Sequence, residues 1–214
     1  MKKFSIKKLV LMAMLAAMAY MIVALVRIPV VLFLKYEPKD VVITIGGFLL
    51  GPMASFVISL LISLLEMVTI SETGPIGCLM NLLSTCSFAC TAAFIYKKKH
   101  TLGGAVAGLA AGSVFMVIIM LLWNWLITPL YMGVDRSAVE GMLLPAFLPF
   151  NLLKAGLNSA LTLVLYKPLV TALRKTGLVE TGAKTGSSKI GIYIFGAGLL
   201  ITCILLLLAF QGKI

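Results

Sequence analysis

Phe150-Asn151-Leu152-Leu153-Lys154-Ala155-Gly156-Leu157-Asn158-Ser159 lies inside an apolar run that opens near Leu143 and continues to Tyr166. Read as a helix, it carries Asn151, Lys154 and Asn158 at i, i+3 and i+7, so the three project from one face. A lysine at the middle of a membrane-spanning helix costs about 2.5–3.5 kcal/mol to insert, which marks it as functional by default. The competing reading has Lys154 snorkelling to a headgroup while the asparagines join helices. Three polar groups sharing one stripe favour a site.

The rest of the chain makes a membrane the only suitable solvent for that run. Of 214 residues, 61% are hydrophobic and 12% charged, about half the charge of a soluble domain. The apolar segments are continuous and about twenty residues long, which excludes an alternating β-barrel pattern. The net charge of +11 comes from basic residues that flank apolar runs, so it reads as topology rather than nucleic-acid binding. Cys78, Cys86, Cys90 and Cys203 lie within apolar segments at no metal-binding spacing, and are expected as small packed side chains without disulfides.

Taken in order, the first helix runs to about Val26 and is not a cleaved signal, because its apolar run continues past any cleavage site. The segment from Arg27 to Asp40 has an apolar, aromatic centre bracketed by Pro29 and Pro38. It is too short to span, and is expected at the interface or folded back over a cavity. Helices follow over about 41–50, 53–70, 78–96, 102–127 and 146–168, with a loop at 128–145. The helix from Val41 is too short to cross unless Pro38–Asp40 lie within the bilayer. The expected architecture is an all-α membrane protein of six core spans in residues 1–175, a polar linker at 176–189, and a further transmembrane segment at 190–214.

Lys2, Lys3, Lys7 and Lys8, then Lys97–Lys99, then Lys167, Arg174, Lys175, Lys184 and Lys189 fall on one side and hold most of the 18 basic residues. Glu180 is the acidic residue there. That side is expected to be cytoplasmic, with the N-terminus inside. Depth then follows from residue count: Lys154 lies about nine residues, or ~13 Å, below the outer start of its helix. Glu66, Asn81 and Asn124 are also in the outer half, whereas the inner half is apolar. An ion path needs polar lining through the whole thickness, and a proton-coupled carrier needs midplane ionisable groups. The distribution describes a cup open to the outside. Amides suit a polar heterocycle, and Trp123, Trp125, Tyr36 and Phe33 are candidate walls, each also readable as an interfacial anchor. Glu66 is expected to neutralise Lys154. No nucleophile–base constellation or metal site is apparent, so an enzyme is not expected. A scaffold that binds no small molecule is the competing class.

Small residues mark another surface. Ala13 and Ala17 on the first helix, and Gly104, Gly108 and Gly112 on the fifth, have the four-residue spacing that lets helices approach closely, within the bundle or against a partner.

Arg27-Ile28-Pro29, Tyr36-Glu37-Pro38-Lys39-Asp40, Gly46-Gly47-Phe48, Gly51-Pro52, Glu66, Thr73-Gly74, Met80-Asn81 and Asn151-Leu152-Leu153-Lys154 together resemble the substrate-binding S components of energy-coupling factor (ECF) vitamin transporters, specifically the riboflavin-specific RibU type. The resemblance covers about the first 175 residues. It implies a six-helix bundle whose first loop is a lid over an outward-facing site, with riboflavin, FMN or a flavin analogue as transported ligand and no cofactor. Asn151 and Lys154 correspond best to ligand-binding positions, followed by Glu66, Asn81, Asn124, Tyr36, Asn158, Leu34 and Thr44. Docking through Ala13 and Ala17 onto a transmembrane coupling subunit, driven by two cytoplasmic ATPases, is likewise implied. The chain has no Gly-x-x-x-x-Gly-Lys-Ser/Thr loop of its own. Another vitamin is the alternative ligand, and the run at 190–210 departs from the six-helix pattern.

Overall fold

The computed structural model describes residues 6–32, 34–175 and 190–212. Lys2, Lys3, Phe33 and the linker 176–189, with Glu180, Lys184 and Lys189, lie outside the described residues.

Helix α1 (Ile6–Leu25) buries Leu11, Met12, Leu15, Ala16, Ala19 and Val23 and leaves Leu9, Val10, Met14 and Met21 exposed. A helix apolar on both its packed and its open faces belongs in lipid. Strands β1 (Ile28–Val31) and β2 (Leu34–Tyr36) follow, pairing antiparallel with Ile28 opposite Tyr36. The segment expected as an interfacial or re-entrant stretch is therefore a β-hairpin. Its turn passes through Leu32 at φ 52°, the left-handed conformation that tight hairpins need but that Asn-Gly or Asp-Gly normally signals. Neither pair occurs between Ile28 and Tyr36, so no hairpin cue stands in this stretch.

Helix α2 (Lys39–Leu50) is buried from Lys39 to Phe48. Its 12 residues rise only ~18 Å, so Lys39 and Asp40 start within the bundle rather than at its rim. The chain reverses at Gly51, whose φ of 98° suits glycine, and Pro52 opens α3 (Pro52–Thr69). Next come α4 (Gly74–Thr85), a π-helical turn at Cys86–Cys90, and α5 (Thr91–Lys98), forming one continuous pass, then α6 (Leu102–Leu126).

The region expected as a loop contains two short helices, α7 (Thr128–Met132) and α8 (Arg136–Met142), and a π-helical turn at Leu143–Phe147. Pro129 suits the first turn of α7, and Gly133 ends it in the left-handed conformation. Helix α9 (Leu148–Lys175) carries the Asn151–Lys154–Asn158 stripe, and α10 (Ile190–Phe210) lies along it. Among the described residues the bundle is built from α1, α2, α3, α4–α5, α6 and α9, with α10 packed against α9. Five passes of that bundle among the described residues, all but α2, are long and apolar enough to cross a membrane.

The small residues of α6 are used inside the bundle. A Cβ on Gly108 would stand 2.6 Å from the Ala92 carbonyl oxygen, and one on Gly112 would stand 2.5 Å from that of Phe88. Those glycines let α6 lie directly on the α4–α5 pass, where apolar side chains alone give little drive in lipid. Ala13 and Ala17 are exposed. The end of the bundle opposite the hairpin is closed by Phe48, Tyr96 and Tyr166. The Phe48 and Tyr96 rings are 4.4 Å apart, and the two tyrosine hydroxyls are 2.6 Å apart. Cys78 and Cys203 are buried, and all four cysteines are free.

Candidate functional site

The site is organised by two adjacent residues at the start of α2. Lys39 is 1% exposed and Asp40 fully buried. Successive helical residues point about 100° apart, so each faces a different set of neighbours.

The Lys39 ammonium reaches Glu37 Oε2 at 2.6 Å and both Glu66 carboxylate oxygens, at 2.5 and 2.6 Å. Asn81 donates to Glu66 Oε2 at 2.8 Å, and Arg27 donates to Glu37 Oε1 at 2.9 Å and to the Ile70 carbonyl. Burial pushes the Glu37 carboxyl up, but Lys39, Lys154 and Arg27 together hold it below the ordinary carboxylate range.

Asp40 faces α9. Its Oδ2 lies 3.3 Å from Lys154 Nζ and accepts from Asn158 Nδ2 at 3.2 Å, while Thr85 donates to its Oδ1 at 2.7 Å. Lys154 also donates to Ser84 Oγ at 3.0 Å. Tyr36, on the hairpin, donates its hydroxyl to Asn158 Oδ1 at 3.0 Å. Burial and then the Asp40 charge push that phenol up, keeping it a donor. Three cations (Arg27, Lys39, Lys154) face three carboxylates (Glu37, Asp40, Glu66), and the buried network balances its charge.

The expected pairing of Glu66 with Lys154 is corrected. Glu66 is taken by Lys39 and Asn81, and Lys154 by Asp40. Of the α9 stripe, Lys154 and Asn158 converge on Asp40, whereas Asn151, also buried, turns back to its own helix and donates to the Phe147 carbonyl at 2.7 Å. Asn124 behaves similarly, donating to the Met120 carbonyl and accepting from Thr128. Thr44 donates to the Asp40 carbonyl and braces the first turn of α2. Leu34 is apolar ballast for the hairpin, packed in one cluster with Tyr36, Phe147, Phe150, Leu153 and Leu157.

Beside the polar network lies a small, partly open cleft lined by Thr73, Ile76, Gly77, Met80, Trp123, Ile127, Thr128 and Tyr131. Its wall includes Trp123 and the immediate neighbours of Asn81 and Asn124. Trp125 points elsewhere, donating to Glu140 at 2.9 Å under the Arg136 guanidinium. Together the features suit reversible capture of a polar, planar molecule: an apolar and aromatic cleft flanked by amides, hydroxyls and fixed charges.

Lys39, Asp40, Ser84 and Thr85 were not singled out as site residues from the sequence. The cue for the first two was present, since a helix too short to cross begins with two opposite charges. Ser84 and Thr85 offered no comparable cue in an apolar run.

Comparison with known proteins agrees with this architecture. The chain is 27% identical over 178 residues to the riboflavin transporter RibU of Staphylococcus aureus (strain TCH60), covering 79% of this chain and 93% of that protein. It is also 27% identical over 161 residues to the riboflavin transporter FmnP of Bacillus subtilis (strain 168), covering 70% and 84%. A solved structure of the S component of a bacterial ECF transporter superposes with a TM-score of 0.66 at 28% identity, covering 78% of this chain and 98% of that one. Residues 7–166 match the family model described as "ECF transporter, substrate-specific component". This multi-pass membrane protein belongs to the substrate-specific components of ECF transporters.

Proposed function

We propose that this S component captures riboflavin at the outer face of the cell membrane, beneath the β1–β2 hairpin, for uptake driven by partner ATPases. The observation that carries the reading is the confinement of the polar network to the hairpin half of the bundle, beside the Trp123 cleft. The far end is sealed by Phe48, Tyr96 and Tyr166. A continuous ion path does not fit that arrangement, and an uncharged heterocycle suits a charge-balanced cup. The riboflavin transporters among its relatives support the choice of ligand. Asn81, Asn124, Asn151, Asn158, Tyr36 and Lys154 would supply hydrogen bonds, Glu66 would hold Lys39 in place, and Thr44 and Leu34 would shape the frame. Riboflavin titrated into the purified protein is expected to lose its fluorescence in a saturable way. A panel of other vitamins is expected to leave that signal unchanged. Absence of quenching at saturating riboflavin, or full competition by another vitamin, removes the flavin assignment.

The gathering of Lys and Arg on one side of the apolar runs supports a cytoplasmic N-terminus. A transmembrane coupling subunit would dock on α1 at Ala13 and Ala17, whose exposed methyls allow close helix approach, with two cytoplasmic ATPases supplying energy. Ala13→Trp or Ala17→Trp is expected to abolish uptake in cells while leaving riboflavin binding by the purified protein unchanged. Normal uptake by both variants moves the docking face elsewhere.

A further inference from the structure

The family match ends at residue 166, so α10 is not part of the shared S-component pattern. It is nevertheless built into the hairpin. Cys203 and Leu207 are buried in the same apolar cluster as Val30, Leu34 and Tyr36, and Gln211 Nε2 donates to the Pro29 carbonyl at 2.8 Å. Along its length α10 seats on α9, where Gly156 faces Cys203 and Gly196 faces Leu163 and Val164. The side away from the bundle, including Leu205 and Leu206, is exposed. One helix therefore touches both the element bearing Lys154 and Asn158 and the hairpin bearing Tyr36.

We infer that Leu207 and Gln211 are positioning residues for the ligand site: α10 straps the β1–β2 hairpin to α9, holds Tyr36 over Asn158, and so sets how fast ligand exchanges beneath the hairpin. This rests on the reading of the hairpin as the lid of a riboflavin site. Neither residue touches Lys154, Asn158 or Asp40 in the hydrogen-bond network. Their action passes through the hairpin backbone and Tyr36. Apolar contact alone gives helices little mutual preference in lipid, so the interlocked Gly156–Cys203 seat and the terminal hydrogen bond fix where the strap lies.

The test uses the full chain in lipid nanodiscs, with two readouts: amide hydrogen exchange of residues 28–36, and the riboflavin dissociation rate from recovery of fluorescence. Leu207→Ala is expected to speed hairpin exchange and to raise the dissociation rate on the order of ten-fold. Gln211→Ala is expected to produce the same pair of changes to a smaller extent, roughly three-fold. Leu205→Ala, on the lipid-facing side, is the control and should alter neither. A strap that merely stabilises the bundle would lower the thermal midpoint of Leu207→Ala while leaving hairpin exchange and dissociation at wild-type values, and that result overturns the inference. Faster dissociation in Leu205→Ala equal to that in Leu207→Ala overturns it as well. Should wild-type protein take no riboflavin, faster hairpin exchange in Leu207→Ala and Gln211→Ala still supports the strap, and the riboflavin reading alone falls.

Discussion

Lys39→Met is expected to be the most damaging single substitution in the bundle, lowering stability by about 3–5 kcal/mol. Methionine fills similar volume, so the loss is electrostatic rather than steric. Removing the ammonium strands Glu37 and Glu66 together in a site where neither reaches water, since they are 5% and 1% exposed. Arg27 still serves one oxygen of Glu37, and Asn81 one oxygen of Glu66, but nothing replaces the cation between them. The measurement is thermal unfolding of the detergent-purified protein, monitored by the monodisperse fraction remaining after heating. Adding Glu66→Gln to Lys39→Met should recover part of the loss, because the amide needs no counter-charge. A Lys39→Met protein with wild-type thermal midpoint would show that the network is not the electrostatic centre of the fold.

Lys154→Ala is expected to act mainly on binding. A hydrogen bond from a charged donor to the ligand is worth about 1.5–3 kcal/mol, so riboflavin affinity should fall by roughly ten-fold or more. Asp40 keeps Thr85 and Asn158 as donors, which is why folding should survive better than in Lys39→Met. The check is a fluorescence-quenching titration beside a size-exclusion profile. Wild-type affinity in a well-folded Lys154→Ala protein takes the lysine out of the ligand site. Asn151→Ala should cost less than Lys154→Ala, since its amide is engaged with its own helix at Phe147.

What the sequence made legible was whatever the membrane constrains directly. Apolar runs of about twenty residues gave the long passes, Gly51-Pro52 gave the reversal after α2, and the cost of burying Lys154 drew notice to α9. The partners of these groups were harder to read. Helix α2 is buried on every face from Lys39 to Phe48, so it has no amphipathic period to say which side Asp40 takes, and Glu66 looked like the natural mate for Lys154. The hairpin was hidden because its turn uses Leu32 in a conformation usually left to glycine or asparagine. Helices α7 and α8 are too short for periodicity to show. Asn124 and Asn151 are buried in the bundle, but an amide's choice between a neighbouring carbonyl and a ligand is a matter of rotamer, which spacing does not encode.

The adjacency of Lys39 and Asp40 has a geometrical consequence. In lipid, one apolar face of a helix is nearly as good as another, and a short helix buried on all sides has no oily stripe to set its rotation. Two opposite charges on consecutive residues break that degeneracy. A rotation of about 100° in one sense would turn the ammonium toward Lys154, and in the other sense would turn the carboxylate toward Glu37 and Glu66, so a slip either way replaces attraction by repulsion. The order of the two charges, rather than their number, thus gives α2 a single angular setting among its neighbours.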